Sequence, residues 1–343
     1  MDMKKTIVTA ALACSLLATA AGAAAAAPAN AVPPAPGGEG SAAQAPAYEV
    51  KQYRNDTPLH FSGTAVELGE KGFTIQDESQ EGTYNKVVVN VSDETVILDA
   101  VTGEVKGLAD VEKDAQVVAY VSPLMTRSLP PIANGVLVLV NIPADFGVPT
   151  YSEVLNVTPR EDGGVDLYVS GNMVLHLSDD TELTAYKTKN VVSLADLKPG
   201  TRVLAWYDVV MMSFPGQANP GKVMVFPYGY QGYVDTDAGK VLLNGQDTGI
   251  TGRAVDGRLM VPVRAMAEAL GCEVAWEAQT NAVAVKRGED TLYTFTIGGD
   301  SATLDSDLFL GLTVPSVAQD GVTYMALDDL ISLHELKLVD RAF

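Results

Sequence analysis

Short runs of β-branched and alternating apolar residues fill most of the chain between residues 58 and 229. Runs of this kind, separated by turn residues, are typical of half-buried β-strands. In the first part of the region they predict strands at 61–67, 72–76, 86–91, 116–121 and 135–142. Between the third and fourth of these strands, Leu108-Ala109-Asp110 follows a polar turn and predicts a short helical turn or loop.

The same pattern returns 86 residues further along the chain, which indicates an internal repeat. The matched blocks are 87–95 with 173–181, 108–111 with 194–197, 117–120 with 203–206 and, one residue closer, 128–130 with 213–215. Several blocks in one register predict two tandem copies of a module. We place copy 1 at 58–145 and copy 2 at 150–229. Each is expected to form a small β-barrel or sandwich, similar to an OB-type barrel.

In the C-terminal region, residues 233–343, the spacing of the apolar residues changes within a short stretch at 257–271. Its apolar residues alternate as in a strand up to Val263 and then follow the spacing of one helix face. Pro262 suits the first helical turn, and Gly271 suits the left-handed residue just after a helix. The stretch therefore predicts a strand followed directly by a short helix.

Two hairpins and a second strand–helix unit complete the C-terminal region. The hairpins pair 273–276 with 282–285 and 292–297 with 301–304, and the segment 320–327 repeats 256–263 at a shift of 64. The turn at 235–239 begins like a calcium loop but lacks the later ligands, so we interpret it as a hairpin turn. The fold class is therefore mainly β with α+β: two barrel or sandwich modules, then a twisted antiparallel sheet packed on short helices.

The N-terminus predicts export. Lys4 and Lys5 precede an apolar run, and small residues follow, so residues 1–23 form a secretory signal peptide. Cys14 lies within the apolar run, and its lipidation is an alternative that stays open. Residues 24–57 are rich in alanine and proline and predict a disordered linker. We expect a secreted or cell-surface protein without a membrane span.

The net charge and the cysteine content limit which classes of partner and cofactor are expected. The chain has 23 basic and 43 acidic residues, a formal net charge of −20. This charge repels the phosphates of nucleic acids and anionic lipids, so it argues against both partners. After removal of the signal only Cys272 remains, and we interpret it as a small buried residue. No cofactor is expected, although the acidic surface is compatible with loose calcium binding.

The C-terminal region resembles the copper amine oxidase N-terminal-like domain, also called the stalk domain, of exported proteins from Gram-positive and clostridial bacteria. The resemblance is carried by Asn244-Gly245, the stretch 257–271, Glu273-Val274-Ala275-Trp276 and the second strand–helix unit. It covers about 241–342 and implies a five-stranded antiparallel sheet around a helix. It also implies a non-catalytic role, because the stalk domain of amine oxidases holds neither the copper nor the quinone cofactor.

The sequence lacks the motifs of the common catalytic classes. An amine oxidase needs a tyrosine after asparagine and three copper-binding histidines, whereas Tyr84-Asn85 has the reverse order. His60, His176 and His334 lie one in each module, without ligand spacing. Serine-hydrolase, zinc-protease and P-loop motifs are also missing. We predict no catalytic residue, no metal site and no enzyme activity, while a glycosidase-type carboxylate pair stays open.

Two loops and a tyrosine-rich segment are the candidate binding sites. Both loops place apolar residues and proline before the last strand of a copy, where binding surfaces often occur. Their candidate residues are Met125, Leu129, Pro130, Ile132 and Asn134 in copy 1 and Met212, Phe214, Pro215 and Asn219 in copy 2. A lid over the barrel end is the favoured interpretation, and partner contact is the alternative. Tyr228, Tyr230 and Tyr233 are interpreted as an inter-domain joint, or alternatively as a surface that stacks on sugars.

These observations lead to two main functional hypotheses, beside a third of loose calcium-dependent assembly driven by the acidic surface. The first is a non-catalytic exported protein of the cell envelope, a scaffold or adhesion module that binds wall polymer, other surface proteins or itself through the two loops. The second is an accessory subunit of an exported hydrolase acting on cell wall or glycan, or an undetected hydrolase. Paired buried carboxylates in a cleft would favour the second hypothesis.

Overall fold

The computed structural model describes residues 48–52, 57–77, 85–187, 191–305 and 308–341. The predicted signal peptide, Cys14 and most of the predicted linker lie outside the described residues. All elements below belong to one compact unit, Pro46–Phe343. The protein is mainly β with two short helices, as the sequence predicts. Within the described ranges, no helix has the length and apolar character needed to cross a membrane.

Copy 1 is a closed five-stranded barrel with one added strand. Its elements are β1 (Leu59–Gly69), β2 (Gly72–Gln76), β3 (Lys86–Asn90), β4 (Val96–Asp99), a 3-10 helix (Leu108–Asp110), β5 (Gln116–Met125) and β6 (Ile132–Val140). The meander β1-β2-β3 is antiparallel, and β5 pairs with both β1 and β6. Parallel pairing of β3 with the start of β6 closes the barrel in the OB-type arrangement. β4, which the sequence pattern did not predict, adds in parallel to the end of β6.

Copy 2 repeats this arrangement with its last strand divided. Its elements are β7 (Thr150–Pro159), β8 (Val165–Val169), β9 (Met173–Leu177), β10 (Glu182–Ala185), a 3-10 helix (Leu194–Asp196), β11 (Arg202–Trp206), β12 (Val210–Met211), β13 (Gly216–Ala218) and β14 (Lys222–Val225). Strand β9 is parallel to β13, and β10 is parallel to β14. Pro220 falls between β13 and β14, where a strand would lose a ladder hydrogen bond. Val88 faces Ile132, and Val174 faces Gln217, so the predicted repeat register is confirmed.

The outer faces of the two barrels share an apolar cluster. Its buried members are Leu98, Ala100, Val118, Tyr120, Leu137 and Leu139 from copy 1 and Tyr151, Tyr186, Leu204, Met224 and Phe226 from copy 2. The Tyr151 backbone N–H donates to the Tyr120 hydroxyl at 3.0 Å, and burial raises the pKa of Tyr120 to about 12. The Trp206 indole N–H donates to the Ala100 carbonyl at 2.7 Å. The barrels are therefore joined by a common core that is separate from the interior of each barrel.

The C-terminal domain contains three sheets and two helices around a single large core. Its strands are β15 (Gly232–Asp237), β16 (Lys240–Leu243), β17 (Gln246–Thr251), β18 (Arg253–Val255), β19 (Arg258–Pro262), β20 (Glu273–Glu277), β21 (Ala282–Arg287), β22 (Asp290–Thr296), β23 (Ser301–Asp305), β24 (Leu308–Gly311), β25 (Val317–Gln319), β26 (Val322–Ala326) and β27 (Leu336–Leu338). The helices are α1 (Val263–Ala269) and α2 (Leu327–Leu333). The five-stranded antiparallel sheet that the family resemblance implies is β20–β24, and two four-stranded sheets complete the domain.

The domain consists of two strand–helix halves, β19–α1 and β26–α2, related by the predicted shift of 64. The two strands pair antiparallel, with Val261 opposite Met325, its own equivalent in the repeat. The pairing therefore has approximate two-fold symmetry. Pro262, expected in the first helical turn, is instead the last strand residue and the N-cap of α1, because its ψ of 117° is extended. Gly271 has the expected left-handed backbone, with φ of 73°.

Candidate functional site

The candidate loop of copy 1, which we call tip 1 (residues 124–132), is held by its own hydroxyl groups. The Thr126 N–H donates to the Ile132 carbonyl at 2.9 Å, and the Ile132 N–H donates to Thr126 Oγ1 at 2.8 Å. Ser128 Oγ donates to the Pro130 carbonyl at 2.9 Å. Leu124 is 84% exposed and Leu129 is 65% exposed. The backbone of tip 1 is thus held by hydrogen bonds within the tip, while Leu124 and Leu129 face solvent.

The corresponding loop of copy 2, which we call tip 2 (residues 209–215), has the same construction. Ser213 Oγ donates to the Pro215 carbonyl at 2.6 Å, as Ser128 does to Pro130. The Leu129–Pro130 and Phe214–Pro215 bonds are both cis. Met212 is 101% exposed and Phe214 is 91% exposed, and Val209, Val210 and Met211 are also exposed. Tip 2 therefore exposes five apolar side chains to solvent.

The lid interpretation and the partner-contact interpretation apply to different residues of the two loops. Met125 packs against the core of its barrel, as a lid residue would. Pro130 and Pro215 are half-buried, whereas Ile132, Asn134 and Asn219 are exposed. Asn134 Oδ1 accepts a hydrogen bond from Asn90 Nδ2 at 2.9 Å. The side chains of Leu129, Met212 and Phe214 are exposed to solvent, so a lid does not describe them.

A polar network anchors tip 2 to its barrel. His176 contacts Asp166 Oδ1 through Nδ1 at 2.8 Å and Gln217 Oε1 through Nε2 at 3.0 Å. Gln217 Nε2 donates to Ser213 Oγ at 3.2 Å, which connects the sheet to the tip. In copy 1, Asn90 and Ile132 occupy the positions of His176 and Gln217, beside a shallow groove of about 420 Å³. The faces beside the two tips have therefore diverged, whereas the serine hydrogen bond and the cis proline are present in both tips.

The tyrosine segment lies at the junction of copy 2 and the C-terminal domain. The Tyr228 hydroxyl donates to the Pro199 carbonyl at 2.9 Å, and Lys198 Nζ lies 3.7 Å from the centre of the Tyr228 ring. Tyr230 is buried, and its hydroxyl lies 3.3 Å from Glu153 Oε2. Burial raises the pKa of Tyr228. Tyr233 is half-buried in β15. This placement is that of a joint, and the rings do not form an open stacking surface.

Glu153 is the ionic centre of that joint. It pairs with Lys337 of β27 and with Arg202 of β11, the latter at 3.6 Å. The side chains of Glu153 and Lys337 are each only 11% exposed. Because breaking a buried ion pair leaves an uncompensated charge, this contact favours a fixed joint between copy 2 and the C-terminal domain.

Residues 48–52, which the sequence placed in the linker, pack on the C-terminal domain. The Glu49 N–H donates to the Gly257 carbonyl at 2.9 Å, and Glu49 forms a parallel bridge with Arg258. The Lys51 N–H donates to Asp328 Oδ1 at 2.5 Å, and Arg258 Nη1 donates to Asp328 Oδ2 at 2.8 Å. This end of the predicted linker is therefore an added extended segment of the domain.

Asp328 and Asp329 are buried neighbours, and they are the carboxylates that bear most directly on a hydrolase. Burial raises the pKa of both. Asp328 holds Lys51 and Arg258, while the Asp329 carboxylate accepts hydrogen bonds from the Thr313 N–H at 3.0 and 3.1 Å. Both side chains are engaged in structural contacts, so they do not favour the hydrolase hypothesis.

The three histidines lie in separate surroundings. His60 packs on Tyr120, and burial lowers its pKa. His176 belongs to the tip 2 network, and His334 is buried in the C-terminal core. Across the described residues, no group of three or more histidine, cysteine, aspartate or glutamate side chains is placed to hold a metal ion. Cys272 is buried, as the sequence predicts.

His334 makes the C-terminal domain sensitive to acid. Burial, reinforced by the charge of Arg287, lowers the pKa of His334 from 6.5 to about 4. Its Nε2 lies 2.9 Å from the Tyr293 hydroxyl. The unfolded chain binds a proton at His334 more tightly than the folded chain does. The contribution of neutral His334 to the free energy of unfolding is therefore fully present above pH 6.5 and is lost as pH falls towards 4. The difference corresponds to about 3 kcal/mol.

We therefore expect the free energy of unfolding of the wild type, relative to a His334→Gln variant, to fall by about 3 kcal/mol between pH 7 and pH 4. Denaturant titrations at both pH values measure it. Subtracting the free energy of unfolding of the variant from that of the wild type removes the contributions of Asp328 and Asp329, which titrate in both chains. An equal pH response in the two chains would show that His334 is not buried in its neutral form.

The fold and the tips together define a class of protein: two OB-type barrels in tandem, with exposed apolar loops, followed by an α+β domain. Residues 242–333 match the family model of the copper amine oxidase N-terminal domain. This match confirms the resemblance found in the C-terminal third and suggests a non-catalytic module. No curated protein and no solved structure matches the chain.

Proposed function

We propose that the protein is a non-catalytic binding module of the cell envelope that holds another surface protein through its two tips. The observation that carries the proposal is the exposure of Met212 and Phe214 on a loop that Ser213 ties to the Pro215 carbonyl and to Gln217. A rigid apolar loop binds with little loss of conformational entropy. The sequence at residues 1–23, with the features of a secretory signal, supports export.

The chemistry of the tips favours a protein partner over a wall polymer. In a chain of net charge −20, the segment 209–221 contains no charged residue, and the segment 115–144 contains only Arg127. Polysaccharide sites commonly combine an aromatic ring with several available hydrogen-bonding side chains. In these tips the hydroxyls of Thr126, Ser128 and Ser213 hydrogen-bond within the tips, and Phe214 is the one aromatic residue. Aromatic and methionine side chains are enriched at the centres of protein interfaces.

The test compares retention on envelope fractions of the producing organism. We expect the double variant Met212→Ser/Phe214→Ser to be retained at least about tenfold less than the wild type, because exposed apolar anchors dominate such interfaces. The matched control is Val191→Ser, which removes a side chain that is 95% exposed but lies outside the tips. Retention that survives the double variant, or that falls equally in the control, contradicts the proposal. Retention on purified wall polymer in place of envelope protein would favour the polysaccharide alternative.

A further inference from the structure

The C-terminal domain binds residues 48–52 as an extended segment on its surface. This segment lies in a groove bordered by Gly257, Arg258, Asp328 and β27. Gln52 contacts the backbone of β27 twice, accepting from the Leu338 N–H at 3.0 Å and donating to the Leu336 carbonyl at 3.3 Å. Tyr48 and Val50 pack on the domain core. We call this place the filled groove.

The two-fold repeat of the domain generates a second groove of the same kind. Gly257 and Arg258 correspond to Gly321 and Val322, which lie 64 residues later in the chain. Asp328 and Leu338 correspond to Arg264 and Val274, which lie 64 residues earlier. All four of these equivalents line one open groove of about 410 Å³. Gly321 and Gly257 also share a left-handed backbone, with φ of 77° and 74°. The repeat therefore places matching backbone at both grooves.

The open groove has the lining of a binding site. Apolar side chains form most of its surface: Val263, Val274, Trp276, Val283, Ile297, Ala318 and Val322. Trp276 lies on β20 and is 58% exposed, although it is among the largest apolar side chains of the domain. The groove volume falls within the range of about 300–1,000 Å³ that is usual for ligand sites.

One pair of equivalent positions in the two grooves carries opposite charge. Asp328 accepts a backbone N–H in the filled groove, whereas its equivalent, Arg264, is a donor. Arg264 Nη1 donates to the Val274 carbonyl at 3.0 Å and lies 3.6 Å from Glu268 Oε1, with a side chain that is more than half exposed. A guanidinium has five N–H donors, so further donors remain for a ligand. Among the described residues lining the groove, Arg264 is the charged one.

We propose that the open groove binds an extended peptide segment of a partner protein, with apolar side chains against Trp276 and a carboxylate paired with Arg264. The peptide would lie against β20 and β26 as residues 48–52 lie against β27 and β19. Binding of an extended segment to strand edges is a general mode of peptide recognition, in which pockets for alternate side chains give specificity. This site is distinct from the tips and goes beyond the proposed function.

The experiment uses a phage-displayed library of random twelve-residue peptides, selected on the full chain. We expect enriched peptides that carry an acidic residue among apolar ones. Arg264→Glu and Trp276→Ser should each weaken their binding, measured by fluorescence anisotropy, by at least about tenfold. Replacing the acidic residue of the peptide with lysine should restore binding to Arg264→Glu. Met212→Ser/Phe214→Ser should leave peptide binding unchanged, which separates this site from the tips.

Three results overturn the proposal. The first is a selection that enriches no peptide on the full chain. The second is a set of peptides whose affinity is indifferent to both Arg264→Glu and Trp276→Ser, while circular dichroism shows both variants folded. The third is self-association of the wild-type chain in sedimentation that both variants abolish, since the occupant would then be a second copy instead of a partner.

Discussion

Replacing Asp328 with alanine is expected to destabilise the C-terminal domain by about 3–5 kcal/mol. The Asp328 side chain is 2% exposed, and it accepts hydrogen bonds from the guanidinium of Arg258 and from the Lys51 N–H. Removing it takes away the buried acceptor of two partly buried hydrogen bonds. Residues 48–52 should then separate from the domain, because Asp328 holds their centre. Denaturant unfolding measures the loss of stability, and hydrogen exchange at Glu49 and Lys51 measures the separation.

Two further variants serve as controls for Asp328→Ala. Asp328→Asn keeps the shape and an acceptor oxygen, so we expect a smaller loss than for alanine. Asp247→Ala removes a carboxylate that is half exposed and pairs with Lys240 at 3.7 Å, and such surface pairs contribute at most about 1 kcal/mol. A loss below about 1 kcal/mol for Asp328→Ala, with unchanged exchange at residues 48–52, would contradict the described docking.

Leu204→Ala is expected to cost about 2–5 kcal/mol and to affect both barrels. Leu204 is fully buried in the cluster that the barrels share, to which Leu137 and Leu139 of copy 1 also belong. The cavity left by the substitution should loosen β6 of copy 1 as well as β11 of copy 2. Hydrogen exchange in both strands, together with thermal unfolding, tests this expectation.

The comparison for Leu204 is a leucine buried inside a single barrel. Leu175 lies in the interior of copy 2, away from the shared cluster. Leu175→Ala should cost a similar free energy, but its increase in exchange should be centred on copy 2. If Leu204→Ala also leaves the exchange of copy 1 unchanged, the two barrels are not coupled through this cluster.

The repeat and most strands could be predicted because apolar alternation is a local signal. Equivalent positions such as Leu108 and Leu194 begin the 3-10 helix of each copy, as the shift of 86 requires. The strand–helix unit at 257–271 was also readable, since the change from alternating to helical spacing occurs within a few residues. Local patterning therefore determined the elements and the order of the modules.

Features that depend on distant pairing could not be read in the same way. β4 and β10 are four residues long and pair in parallel with strands about 40 residues later, so no local period reveals them. Lys51 and Asp328 are 277 residues apart, and only the folded chain brings them together. The direction of the tips is also non-local, because an apolar loop that folds inward and one that faces solvent have the same composition. The shift of 64 was visible in the sequence, but it relates the two grooves only once the contacts of residues 48–52 are known.

The most direct test of the proposed function is photo-crosslinking from tip 2. A photoreactive phenylalanine analogue placed at Phe214 is compared with the same analogue placed at Val191, with both chains in contact with the envelope of the producing organism. We expect one discrete crosslinked surface protein from position 214, which disappears when Met212 is replaced with serine, and none from position 191. Equal products from both positions, or no product from position 214, would contradict the claim that the tips hold a surface protein.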